Sequence, residues 1–268
     1  MTDRGKRSVL GVLVDVVDYD AAVERTVAAA RNARPFAVSA LAVHGVMTGV
    51  LDPEQRFRLN RLDLVVPDGR PVRFALNLVH RARLDDQVRG TTFVWRLLER
   101  AADERLPVFF YGSRPDTLSK LEKRVLAREP HTVIAGIRPS LFGEADSAAQ
   151  DRIVAEIAAS GARLVFVGLG CPRQEVFVSE LRERVGVPML AVGAAFDYIA
   201  GSLREPPDLL REWGLEWLWR LALEPGRLWR RYITLNPAFV ALLALQALRL
   251  WRPDATGVSP EPLERLEA

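Results

Sequence analysis

Asp63-Leu64-Val65-Val66-Pro67-Asp68-Gly69-Arg70-Pro71 is the stretch from which the fold can be read. Leu64 to Val66 is a short apolar run of the kind that forms a buried strand. Pro67, which has no N–H to continue a ladder, ends it. Asp68-Gly69 is a tight-turn pair, and Pro71 sits where a following helix has its first turn. That order puts the Asp68 carboxylate at the C-terminal end of a strand, the rim where open α/β sheets bind ligands. Asp-Gly is equally a common turn pair. Both readings of Asp68, turn residue and site residue, stand at this point.

The same alternation extends in both directions. On the N-terminal side Val9 to Val17 reads as a strand and Ala21 to Arg34 as an alanine-rich helix. Asp18 and Asp20 precede that helix either as a cap or as an Asp-x-Asp metal pair; their position directly before a helix favours the cap. Phe36 to Val43 reads as a second strand ending at His44-Gly45, and Asp52 to Asn60 as a helix. On the C-terminal side come helix 71–80, the segment Gln87-Val88-Arg89-Gly90-Thr91-Thr92 and a helix to Arg105. Strands are predicted at 107–111, 132–137, 164–167 and 188–192, with helices between them. The turns that close these strands carry Gly112-Ser113, Gly168-Leu169-Gly170 and Gly193. Short apolar strands alternating with helices predict an α/β, Rossmann-like parallel sheet with helices on both faces, over about residues 8–200. The glycine turns then share one rim with Asp68. Gly168-Leu169-Gly170 is the front half of a dinucleotide fingerprint, but Arg173 stands where the third glycine belongs, and there is no P-loop. A dehydrogenase or kinase is therefore not expected.

Composition fits a folded globular chain: 268 residues, 49% apolar and 26% charged, with a net charge of only +3. The single cysteine, Cys171, leaves no internal disulfide and no cysteine zinc cluster, and suits a reducing compartment. The polar start, Met1 to Arg7, is expected to carry no secretory signal, and no apolar run reaches the ~20 residues of a membrane span.

From Ser202 the character changes. Trp213, Trp217, Trp219, Trp229 and Trp251 are interleaved with Arg204, Arg211, Arg220, Arg227, Arg230, Arg231, Arg249 and Arg252. A helix is predicted at 215–223 and a second from about Arg227, and Asn236-Pro237 reads as the N-cap and first residue of a third. Residues 201–252 are thus expected to form a Trp/Arg-rich helical appendage, with residues 253–268 a disordered tail. Such an appendage suits a membrane interface, with aromatic rings at headgroup depth and arginines on phosphates. It suits equally a helical subdomain docked on the core or on another subunit, so a homo-oligomer stays open.

Taken together, several stretches resemble the WecG/TagA/CpsF glycosyltransferases over about residues 8–240. They are Asp63 to Gly69, Phe110 to Ser113, Gly168 to Glu175 and Gly193-Ala194-Ala195-Phe196-Asp197. Further on come Gly214 to Leu218, Arg220-Leu221, Glu224-Pro225 and Arg227 to Tyr232, all in the family's order. The resemblance implies transfer of an N-acetylmannosamine-type sugar from a UDP-sugar to a polyprenyl-diphosphate-linked GlcNAc in cell-envelope polysaccharide synthesis. It implies inversion, no metal and no cofactor, and work at the inner face of the plasma membrane by a cytoplasmic, peripheral protein. Asp68 falls on the family's base. Arg220, Arg227 and Arg230 fall on the arginines that hold the diphosphate, and Gln174 and Glu175 on the polar pair of the Pro-x-Gln-Glu turn. Ser39, His44, Arg89, Gly112, Ser113, Gly168, Gly170, Gly193, Phe196 and Asp197 fall in the matching segments around the donor.

The chemistry is coherent with those residue types. Inverting transfer is one in-line displacement, which needs one carboxylate to take the acceptor hydroxyl's proton. An aspartate with a pKa near 3.9 is a poor base, so partial burial of Asp68 is expected. The leaving diphosphate gathers charge, which arginines can neutralise. Arg227, Arg230 and Arg231 lie at i, i+3, i+4 spacing on one helix face. Two positions depart from the family: Leu41 replaces an Asn at the end of the second strand, and Thr92 follows the Arg-x-Gly segment where an Asp is usual. They motivate an alternative, a non-catalytic sugar-nucleotide-binding or scaffold protein of a polysaccharide assembly complex. A nucleic-acid partner is not expected.

Overall fold

The computed structural model describes residues 1–141, 147–207, 209–210 and 214–260, with residues 147 and 227 described by their backbone alone. A hairpin of β1 (Asp3–Val9) and β2 (Val12–Val17) leads into α1 (Tyr19–Arg31), β3 (Phe36–Leu41), α2 (Val43–Leu51) and α3 (Pro53–Asn60). Then come β4 (Leu64–Pro67), α4 (Arg70–His80), α5 (Gly90–Asp103), β5 (Val108–Gly112), α6 (Pro115–Arg128) and β6 (Ile134–Arg138). The chain continues through α7 (Ser147–Ala159), β7 (Leu164–Gly168), α8 (Arg173–Val185), β8 (Pro188–Ala191) and α9 (Ala195–Ile199). Two further helices, α10 (Glu216–Leu223) and α11 (Pro225–Ala247), follow.

Strands β3 to β8 pair in parallel in the order β4-β3-β8-β7-β5-β6. Both faces are covered, which is why these strands read as continuous apolar runs. Alternate residues feed two separate cores. Val108, Phe110, Leu164 and Phe166 pack with α1, α5, α6 and α9. Phe109, Tyr111, Val165 and Val167 pack with α2, α3, α4, α7, α8 and α11. Neighbouring strands β3 and β8 lead to opposite layers, β3 into α2 and β8 into α9. A crevice opens between their C-terminal ends, the topological switch point of the sheet.

The structure differs from the expected elements in four places. Val9 to Val17 is not one strand, because Leu10 and Gly11 turn with φ of 54° and 91° and fold the run into the antiparallel hairpin β1–β2. The second strand stops at Leu41, its last pair with β4 (Pro67), so His44 lies in the first turn of α2. Pro237 does not open a new helix but sits inside α11. That helix is held by what it buries: Phe239 and Leu243 enter the core, and Gln246 bonds to Ser8 O and to the Leu10 N–H, both at 3.0 Å. The start of the expected disordered tail is tied down. Asp254 pairs with Arg56 at 3.2 Å, Asn60 donates to Ala255 O and the Val258 N–H donates to Pro53 O at 3.0 Å. Residues 261–268 lie outside the described residues.

One buried charge fixes the hairpin to the sheet. Asp15, 1% exposed, takes Arg25 on Oδ1 at 2.9 Å and the Val65 N–H of edge strand β4 on Oδ2 at 2.8 Å. Removing one partner of such a pair leaves the others unsatisfied, at a cost of about 3–5 kcal/mol. Asp15→Ala is expected to lower unfolding free energy toward the low end of that range, because Arg25 keeps access to water and to Asp3. Urea denaturation measures it; an unchanged midpoint would contradict this role.

Candidate active site

The crevice holds a cleft of about 1130 Å³. It is lined by Asp68 after β4, His44 of α2, Arg89 before α5, Ser113 after β5, Gly168 at the end of β7 and Gly170 after it. Gln174 and Glu175 of α8, Gly193 and Asp197 near β8, and Arg220 and Arg231 of the C-terminal helices complete its walls. The elements that carry these residues are far apart in sequence, and the parallel sheet brings their ends together.

Other residues singled out in the sequence take supporting places. Phe196 is fully buried, its ring edge-on to Phe110 at 5.8 Å. Gly112 has φ of 105°, and a Cβ there would lie 2.7 Å from the Gly168 backbone, so only glycine lets the two strand ends meet. Ser39 is buried beneath the cleft rather than lining it. Arg230 is exposed and lies over the Trp229 ring at 5.2 Å, outside the cleft, because its position on α11 faces away from it. The Arg227 side chain lies outside the described residues. Asp18 caps α1, accepting the Ala21 N–H at 2.9 Å, and Asp20 pairs with Arg96 at 2.9 Å. Among the described residues no group of three His, Cys, Asp or Glu is placed to hold a metal ion.

Asp68 is presented by its turn. Its N–H donates to Leu41 O at 3.2 Å, and Gly69, at φ 89°, swings the chain into α4. The Gly90 N–H at the start of α5 donates to its carboxylate. Burial against the cleft wall raises the Asp68 pKa to about 6; neighbouring Glu216 adds to the rise, while the Gly90 N–H, Arg89 and Arg220 oppose it. A carboxyl so placed is half ionised at about pH 6 and mostly ionised at neutrality, ready to take a proton as a general base should be.

The cationic side of the cleft is graded. Arg89 is compensated by Glu205 at 2.6 Å and Glu216 at 3.3 Å. Arg220 has Glu224 at 3.6 Å but its buried Nε is unpartnered. Arg231 also has a buried, unpartnered Nε and, among the described residues, no carboxylate. Arg89 and Arg220 flank the Tyr198 ring at 5.6 and 5.9 Å. Guanidinium N–H groups left without a partner in a cleft are ready for an oxyanion.

Beneath the opposite wall, Glu175 Oε1 accepts from Ser39 Oγ at 3.1 Å and Gln174 Nε2 at 2.9 Å. Gln174 Oε1 accepts the Gly170 N–H at 3.1 Å, which fixes its amide. The two departures are absorbed differently. Leu41 is buried and fills the floor beside Gly45, where a Cβ would come within 2.3 Å of its Cδ1. Thr92 does not line the cleft; its hydroxyl bonds with Tyr19, whose oxygen accepts the Arg89 N–H at 2.9 Å. Glu216 and Tyr198 were not singled out in the sequence. Glu216 stands inside the quoted Gly214-Leu215-Glu216-Trp217-Leu218 stretch, and a lone carboxylate ahead of the arginine-bearing segments was the available signal.

A model of the Glycosyl transferase WecG/TagA/CpsF family matches residues 7–253. Among curated proteins, the chain is 28% identical over 207 residues to the N-acetylglucosaminyldiphosphoundecaprenol N-acetyl-beta-D-mannosaminyltransferase of Bacillus spizizenii, a match covering 77% of each chain.

Proposed function

The chain belongs to the WecG/TagA/CpsF family of glycosyltransferases, and from that premise we propose the reaction it performs. An N-acetylmannosamine-type sugar passes from a UDP-sugar to a polyprenyl-diphosphate-linked GlcNAc, with inversion, during cell-envelope polysaccharide synthesis. The relative's acceptor and transferred sugar are those of its name.

The observation that carries this reading is one cleft with Asp68 on one wall and, on another, two arginines whose buried Nε has no partner, Arg220 and Arg231. Asp68 takes the proton of the acceptor hydroxyl as that oxygen attacks the anomeric carbon. The bond from that carbon to the diphosphate breaks in the same step, and UDP leaves with its new charge against Arg231 and Arg220. With arginines in that role, the step needs no metal ion. The cleft is larger than the ~300–1,000 Å³ usual for small-ligand sites, and its mouth runs onto Ile233, Pro237 and Val240 of α11. Ile233 and Val240 are 63% and 64% exposed, an apolar path suited to the isoprenoid next to the acceptor's diphosphate.

Among the described residues no helix is long and apolar enough to cross a membrane. Exposed Trp217, Leu218, Leu223 and Trp229, with Arg230, form the side of α10 and α11 that would rest on the inner leaflet. Incubation with a panel of UDP-sugars and a polyprenyl-diphosphate-GlcNAc analogue, with EDTA present, tests the whole reading. Transfer from a UDP-N-acetylmannosamine-type donor is expected. UDP binding with no transfer from any donor would overturn it.

A further inference from the structure

Glu175 is not accounted for by the displacement itself. It sits in the first turn of α8, is 1% exposed, and borders the cleft. Its Oε1 is doubly used, by Ser39 Oγ at 3.1 Å and Gln174 Nε2 at 2.9 Å. Its Oε2 is buried and has no partner. Among the described residues nothing cationic compensates it. Around it, β3 offers Ser39, β8 offers no titratable group, and the turn before α8 offers the Cys171 thiol, which bonds to this carboxyl and also to Thr48 of α2; His44 of α2 lines the same cleft. His44 makes no ion pair with it, and its own buried Nδ1 is unpartnered. Arg173, at the start of α8, turns outward to Leu169 O. The cations that line the cleft, Arg70, Arg89, Arg220 and Arg231, make no ion pair with it, and the other carboxyl groups lining the cleft are Asp68, Asp197 and Glu216.

A buried carboxyl with no cation is favoured neutral. A neutral carboxyl has one proton to donate. Oε1 already accepts two donors, so the proton belongs on Oε2, where the described residues supply no acceptor. A buried donor facing a ligand cleft with nothing to bond is a group waiting for a ligand atom.

We propose that Glu175 is a protonated positioning residue whose Oε2–H donates to an uncharged carbonyl or hydroxyl oxygen of the bound sugar nucleotide, which presupposes the donor reading of the cleft. Burial lifts the Glu175 pKa to about 7, opposed by its hydrogen bonds with Gln174, its own backbone N–H, Ser39 and Cys171. The acid therefore keeps its proton below that pH and loses it above. Ionised, it presents a charge to an oxygen, and donor affinity falls.

The test is calorimetric binding of UDP-sugar to the whole protein across the pH range, for wild type, Glu175→Gln and Glu175→Ala. For wild type, the dissociation constant is expected to rise roughly tenfold per pH unit above about 7. Glu175→Gln, neutral and still a donor, is expected to bind with little pH dependence across the same range. Glu175→Ala is expected to bind weakly throughout, with thermal melting confirming that it folds. Infrared difference spectra should show a protonated carboxyl band at neutral pH in wild type that shifts on ligand binding and is absent from Glu175→Gln. Binding that is pH-independent in wild type, or equally pH-dependent in Glu175→Gln, would overturn the inference while leaving the donor reading intact. Absence of UDP-sugar binding at every pH would instead bring down the donor reading, and this inference with it.

Discussion

Asp68→Asn is expected to slow sugar transfer by about 10²–10⁴-fold, the range that a positioned general base supplies, with the UDP-sugar dissociation constant little changed. Asparagine keeps the shape and can still accept the Gly90 N–H, but it cannot take a proton. The same group sets the acid side of the pH profile. Its pKa is about 6 in the folded protein, so kcat/KM is expected to rise with pH through about that value, and ionisation of Glu175 above about 7 is expected to set the falling, alkaline side of the profile. Glu216 helps hold that pKa up, and Glu216→Gln is expected to shift the limb to lower pH. A carboxyl whose folded pKa is raised loses stability for the fold as it ionises, here as pH climbs from the ordinary aspartate range through about 6. Asp68→Asn should therefore be at least as stable as wild type at neutral pH. Lost transfer in a protein that melts no lower cannot be a folding defect. Rates within a few-fold of wild type would remove Asp68 from the mechanism.

Arg231→Ala is expected to be the second large effect, about 10²–10³-fold in kcat/KM, the scale of losing one donor to a developing oxyanion. Arg220→Ala should cost less, because Glu224 already offsets part of its charge, and Arg230→Ala should leave transfer to a soluble acceptor nearly unchanged. That order, Arg231 over Arg220 over Arg230, follows from which guanidinium groups face the cleft without a carboxylate. Arg231→Lys is expected to restore little, since an ammonium lacks the bidentate fork. Steady-state kinetics of the variants checks the order; Arg230 outranking Arg231 would contradict it.

How much of the fold and site was legible in the sequence depended on the range of the interaction involved. Asp68 was, because strand, proline, Asp-Gly and helix are local signals, and a parallel sheet sends every such turn to one rim. The Gly112 and Gly168 turns were legible for the same reason, but not their work. A backbone contact between Gly112 and Gly168 is made across neighbouring strands, and no single turn announces it. The hairpin was missed because Leu10-Gly11 lies inside an apolar run and the first of its two turn residues is a leucine. Pro237 misled because its local reading, a helix start, lost to packing. Phe239 and Leu243 hold the helix continuous across it. Helical spacing grouped Arg227, Arg230 and Arg231 as neighbours on α11, but which of them turns toward the cleft is set by how that helix packs on the core. The unmet Oε2 of Glu175 is a property of the assembled environment, and no sequence window contains Ser39, Gln174 and Cys171 together.

The central claim is a direct displacement in which Asp68 deprotonates the acceptor and no enzyme group bonds to the sugar. The anomeric configuration of the product tests it most directly. NMR of the anomeric proton and carbon, after transfer from a UDP-sugar of known configuration with EDTA present, should show the opposite configuration in the new linkage. Retention of the donor's configuration would require a different mechanism and would contradict a general-base role for Asp68.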